Sequence, residues 1–176
     1  TAIRSVEYID MNGDGWQELI VGWQMSSTIQ MLSVYSLRDF QPVPLFSTDY
    51  TEYAACDLTE DRCTDVLVLR MESSGLSGDA ECYAMMADGE VISSTAKISD
   101  GVESIAQVLT GKLSDGTEAV FVESTDAANN HITDIFCCIR DGSLKNITLS
   151  SQTSASIGTV RAYSISSTDI NEDGVV

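Results

Sequence analysis

The chain has 176 residues, 27 acidic against 9 basic, for a net charge of −18, and 43% hydrophobic residues. So acidic a surface repels phosphate backbones and anionic lipid, which excludes nucleic acid as an expected partner. No apolar run approaches the roughly 18 residues that a membrane span needs, and no leader sequence is visible.

Strand-like runs rich in β-branched and aromatic residues follow one another from the start. The first set is Arg4–Ile9, Glu18–Gln24, Gln30–Leu37 and Val43–Thr48. The second is Glu52–Cys56, Asp65–Met71, Ala80–Met86 and Val91–Thr95. The third is Glu103–Leu109, Glu118–Glu123, Ile132–Ile139 and Leu144–Leu149, and a last strand is expected near Thr159–Ser166. No stretch holds an amphipathic helical period with caps, so little helix is expected.

The runs repeat. Polar loops open at positions 10, 57, 111 and 169, at spacings of 47, 54 and 58 residues. A second marker keeps the same register, the turns at Arg38-Asp39, Asp88-Gly89 and Asp141-Gly142. Asp-Gly between strand-like runs favours a hairpin, because its positive-φ positions match the twist of the strands. Four short strands per unit at this pitch predict an antiparallel propeller blade, for which about 40–50 residues is usual. The predicted fold is therefore all-β, a β-propeller fragment of about three four-stranded antiparallel blades plus the start of another. The blades are expected at 1–49, 50–101, 102–157 and 158–176. Three blades are too few to close a ring of four to eight, so the rest of the propeller is expected outside this fragment, with any export signal or anchor.

The first loop carries a cation-ligand pattern. Asp10, Asn12 and Asp14 alternate, Gly15 permits a bend, and Glu18 follows four residues on. The carbonyl of Trp16 can add an oxygen. Carboxylates brought together repel unless a cation joins them, and Ca²⁺ suits six or more flexible oxygen ligands. An EF-hand would need Glu at the loop's twelfth position and an exiting helix; here that position is Val21, in a strand-like run. The alternative is a polar turn without metal. The second loop offers Asp57, Thr59, Asp61 and Asp65, with Arg62 where glycine is wanted, and is a weaker candidate. The last offers Asp169, Asn171 and Asp173 before the sequence stops short of a ninth position. The third keeps Asp115-Gly116 but has Gly111, Leu113 and Ala119 at ligand positions, and is expected to be a metal-free turn.

Asp10-Met-Asn-Gly-Asp-Gly-Trp-Gln-Glu-Leu-Ile-Val21 resembles the FG-GAP/VCBS repeat of the integrin α-subunit propeller and of many secreted bacterial proteins. The Phe-Gly and Gly-Ala-Pro signatures are absent, so the resemblance is to the VCBS-like bacterial group. It implies structural Ca²⁺ on Asp10, Asn12, Asp14, the Trp16 carbonyl and Glu18, and partly on the second and last loops. It also implies an extracellular or cell-surface location.

The functional expectation is a non-catalytic, calcium-stabilised module that binds a protein or a carbohydrate. Trp16, Trp23, Tyr50 and Tyr53 are available either as a binding face or as packing between blades. The alternatives are a propeller segment of a secreted polysaccharide-degrading enzyme and an architectural spacer. The single histidine, His131, reads as a surface residue, and no nucleophile elbow or His-Glu-x-x-His motif is present. Of five cysteines none forms a Cys-x-x-Cys pair, and Cys137 and Cys138 are expected on opposite faces of one strand.

Overall fold

The computed structural model describes residues 1–38, 41–71 and 78–150. The predicted last strand and the last loop, with Asp169, Asn171 and Asp173, lie outside the described residues, as does Asp39 of the first turn marker.

The described chain is all-β apart from one helical turn. Its strands are β1 (Ala2–Ile9), β2 (Glu18–Gln24), β3 (Gln30–Ser36), β4 (Val43–Asp49), β5 (Glu52–Cys56), β6 (Asp65–Arg70), β7 (Asp79–Met85), β8 (Val91–Lys97), β9 (Val102–Lys112), β10 (Glu118–Asp126), β11 (His131–Cys138) and β12 (Leu144–Asn146). They form three four-stranded antiparallel sheets, each a meander of consecutive strands: β1-β2-β3-β4, β5-β6-β7-β8 and β9-β10-β11-β12.

The sheets pack face to face. Along β6 every residue from Asp65 to Leu69 is buried, because successive side chains alternate between two cores. Val66 and Val68 join Ile9, Met11, Ile20, Leu32, Val34, Tyr50 and Met85 between the first and second sheets. Leu67 and Leu69 join Cys82, Val120, Val122, Phe136, Cys138 and Leu144 between the second and third. A continuous apolar run is what a strand covered on both sides requires.

Polar clips reinforce both contacts. Arg70 donates from Nη2 to Thr48 Oγ1 at 2.6 Å, Glu81 Oε2 at 2.7 Å and the Tyr83 hydroxyl at 2.9 Å, tying β4 to the second sheet. Asp134 is fully buried. Its Oδ1 accepts from the Ser99 hydroxyl and from Asn146 Nδ2, each at 2.6 Å. Asn146 Nδ2 also donates to the Lys97 carbonyl at 3.0 Å. A buried carboxylate needs such partners to offset its desolvation.

The structure departs from the sequence expectation around the third sheet. β12 stops at Asn146, and α1 (Ile147–Ser150) takes the place of the expected strand end. The reason is local capping: Asn146 Oδ1 accepts the Thr148 N–H at 3.2 Å, as an N-cap does. The Thr148 hydroxyl then accepts the Ile135 N–H at 2.9 Å, so the turn takes over part of the pairing of β11. Strand β9 also runs through Gly111 and Lys112, two residues that the loop pattern had placed outside it.

Candidate functional site

The loop joining β1 to β2 and the loop joining β5 to β6 share one backbone. Gly13 and Gly15, the fourth and sixth residues counted from Asp10, have φ of 70° and 83°. Glu60 and Arg62, at the same places counted from Asp57, have φ of 60° and 71°. Non-glycine residues seldom enter this region. The second residue of each loop, Met11 and Leu58, is fully buried and pegs the loop to the core beneath it.

The side chains repeat as well. Asp10 accepts the N–H groups of Gly13 at 2.8 Å and Gly15 at 3.0 Å. Asp57 accepts those of Asp61 at 3.0 Å and Arg62 at 2.9 Å. The fifth residue accepts from the seventh in both: Asp14 from Trp16 and Asp61 from Cys63, each at 2.8 Å. Asn12 Oδ1 accepts the Asp14 N–H at 3.1 Å. The ninth residue closes the ring as the first of the next strand. Glu18, 2% exposed, accepts the Met11 N–H at 2.9 Å. Asp65, 1% exposed, accepts the Thr59 N–H at 2.8 Å and its hydroxyl at 3.0 Å through one oxygen.

The two loops are neighbours. The Thr64 N–H donates to the Asp10 carbonyl at 2.9 Å, and a Cβ at Gly13 would lie 3.1 Å from Cys63 Sγ. Two acidic loops are thereby held side by side. Burial pushes the Glu18 carboxyl up, and Asp14 and Asp10 add to the shift. Burial pushes Asp65 up to about 6, with Asp61 and Asp57 adding to it. The second oxygen of Asp65 is buried and has no hydrogen-bond partner. Arg38 approaches Asp14 at 3.5 Å, but this arginine is 64% exposed and its pairing is worth little.

Among the described residues no three His, Cys, Asp or Glu side chains converge as a ready metal cluster. The carboxylates point instead at the backbone N–H groups of their own loops. A carboxylate has about four lone-pair sites, so these bonds leave acceptor capacity in Asp10, Asp14, Glu18, Asp57, Asp61 and Asp65. The desolvated Glu18 and the orphaned oxygen of Asp65 are groups that a hard cation would satisfy.

The third loop differs. Its described turn is a tight hairpin in which the Leu113 N–H donates to the Thr117 carbonyl and the Gly116 N–H to the Leu113 carbonyl, each at 2.8 Å. Asp115 accepts the Thr117 N–H at 3.0 Å, and Gly116 has φ of 88°. Gly111 lies inside β9, so the first ligand position of the repeat has been absorbed into a strand.

Beside this hairpin is an open cleft of 960 Å³ between the second and third loops and the β11–β12 turn. Thr59, Glu60, Asp115, Thr117 and Arg140 supply its polar groups, and Leu113, Ile139 and Ile147 its apolar ones. No sequence signal marks this cleft, because it forms between units distant in the chain.

The four aromatics divide. Tyr50 is 8% exposed and meets Tyr53 edge-on with ring centroids 5.8 Å apart, so both pack between sheets. Trp23 is partly buried on β2. Trp16 is 45% exposed beside the first loop. His131 is not the simple surface residue expected. Its Nδ1 lies 2.5 Å from Glu123 Oε1, and that glutamate is 2% exposed.

No protein-family model matches the chain, and no curated protein sequence matches it. Among the described residues no helix is long and apolar enough to cross a membrane.

Proposed function

We propose that this chain is a segment of a calcium-stabilised β-propeller of the FG-GAP/VCBS kind, serving as a non-catalytic extracellular or cell-surface binding module. One observation carries the reading. The loop between the first two strands of the first sheet recurs in the second, with the same positive-φ positions, the same buried second residue, and the first and fifth carboxylates accepting from the sixth and seventh N–H groups in both. Asp10, Asn12, Asp14, the Trp16 carbonyl and Glu18 would hold one Ca²⁺. Asp57, Thr59, Asp61 and Asp65 would form a weaker second site, because Arg62 supplies positive charge from within the chain in place of the cation. The cation would neutralise adjoining carboxylates and fix the turn between two strands.

The propeller reading also draws on what the sheets leave uncovered. The face of the first sheet turned away from the second carries Ile3, Val6 and Tyr8, which are 59%, 52% and 57% exposed. Leu19, Val21, Trp23, Met31 and Tyr35 lie beside them by register. A face of this composition is what the other sheets bury against each other, and in the whole protein a further blade would cover it. A protein or carbohydrate ligand would then meet the loop end of the blades, where the cleft near Arg140 opens.

Terbium(III), a luminescent stand-in for Ca²⁺, tests the loop assignment, because Trp16 can sensitise it. Saturable emission, displaced by Ca²⁺ and lost in Asp14→Asn, is the expected result. Absence of saturable emission from the folded chain would overturn the calcium reading.

A further inference from the structure

Three of the five thiols lie in one core. Cys82 on β7 and Cys138 on β11 are 3% and 8% exposed and belong to the cluster between the second and third sheets, with Cys56 packed against it. The backbone frames the first two as a pair. The cross-strand neighbour of Cys82 is Ser94, and that of Cys138 is Leu144. The Leu144 N–H donates to Ser94 Oγ at 2.8 Å, so the two sheets are joined one residue from each thiol. The thiols themselves interact, side chain to side chain. Cys137 points to the opposite face, into the cluster of Ala119 and Ile135, and Cys63 sits in the second loop against Gly13.

We propose that Cys82 and Cys138 are a disulfide-forming site that staples the second sheet to the third, closed by exchange with a small-molecule disulfide such as glutathione disulfide. Access is from the loop end. Cys138 lines the 960 Å³ cleft, and Cys82 lines a smaller adjoining pocket of 290 Å³ that shares Thr59 and Gly142 with it. The thiolate is the attacking species in such exchange. Cys138 faces the larger cleft and is the more exposed of the two, at 8% against 3%, so it is the first to react. Cys56 is only packed against the edge of this cluster and lines neither opening, which sets it apart from the pair.

The chemistry balances. Cys138 Sγ bonds to one sulfur of the external disulfide, whose S–S bond breaks and releases one small thiolate. Cys82 loses its proton to that thiolate and attacks Cys138 Sγ, and the mixed disulfide bond breaks to release the second small thiolate. Two protein thiols are oxidised by two electrons, and one small disulfide is reduced to two thiols.

The test uses the unmodified chain, folded, incubated with glutathione disulfide, then blocked with N-ethylmaleimide and digested for mass spectrometry. The expected product is lighter by two hydrogens, carries a linked peptide pair containing Cys82 and Cys138, reverts with dithiothreitol and melts several degrees higher. Cys56→Ser should give the same linkage. Three results would overturn the proposal: a lasting glutathione adduct on Cys138 with Cys82 still alkylated, a linkage that uses Cys56, or two thiols that stay reduced in the folded chain under every oxidant concentration.

Discussion

Arg62 occupies a backbone conformation that its counterpart Gly15 adopts freely. Its φ of 71° matches the 83° of Gly15. In that region an L-residue is disfavoured by about 1–2 kcal/mol. Replacing it by glycine removes this penalty but adds about 0.4–1 kcal/mol of chain entropy to the unfolded state. The net gain is about 0.5–1 kcal/mol. Arg62 also carries a positive charge that glycine lacks, so Arg62→Ala is the proper reference, since it removes the charge and keeps the Cβ. Gly15→Ala is the mirror experiment. A Cβ there meets nothing within 4 Å, so its cost is conformational alone, again about 0.5–1 kcal/mol. Urea unfolding in chelator and moderate salt reads both, as shifts in midpoint at constant slope. Arg62→Gly should be more stable than Arg62→Ala, and Gly15→Ala less stable than the parent. If Arg62→Gly is the less stable of its pair and Gly15→Ala is neutral, the two loops do not share this backbone in solution.

The remaining predictions concern the sheets. Leu67→Ala opens a cavity in the core between the second and third sheets, where Leu67 is fully buried. It should cost about 2–5 kcal/mol in urea unfolding, whereas Val6→Ala, on the uncovered face, should stay within about 0.5 kcal/mol. Glu81 is subject to burial, which raises its carboxyl, but hydrogen bonds from Ser93, Tyr83 and Arg70 outweigh it and leave the group below its ordinary value of 4.5. Its contribution is therefore complete above that value and is lost as pH falls through the lowered one. Glu81→Gln should cost about 1.5–3 kcal/mol near neutral pH and progressively less toward pH 3 in thermal melts. An equal cost at both pH values would contradict the assignment.

Much of the strand order was legible because the signals were local. Val66-Leu-Val-Leu69 is a short continuous apolar run, and a strand covered on both faces produces it. The first loop was readable from its alternating Asp and Asn residues, and its likeness to the second loop survives even where Arg62 stands for glycine. The misreadings lie where a tertiary partner overrides local preference. Ile147-Thr148-Leu149 reads as strand, yet the Asn146 cap and the bond from Ile135 to the Thr148 hydroxyl turn it into helix. Gly111 reads as the opening of a loop, yet it pairs with Ala119 inside a hairpin. The peg at Met11 and Leu58 was visible as an apolar residue after each leading aspartate and carried no meaning until their burial was known. The pairing of Cys82 with Cys138, and of Glu123 with His131, depends on register between strands, which no local pattern encodes.

Thermal unfolding in millimolar CaCl₂ and in excess chelator, for the parent chain and Asp14→Asn, tests the central claim most directly. Ca²⁺ at about 100 times its Kd should stabilise the parent by about 2.7 kcal/mol, which for a chain of this size raises Tm by several degrees. The account predicts that rise in the parent and its loss or sharp reduction in Asp14→Asn. Coincident melting of the parent with and without calcium would contradict it and leave the acidic loops as hydrogen-bonded turns.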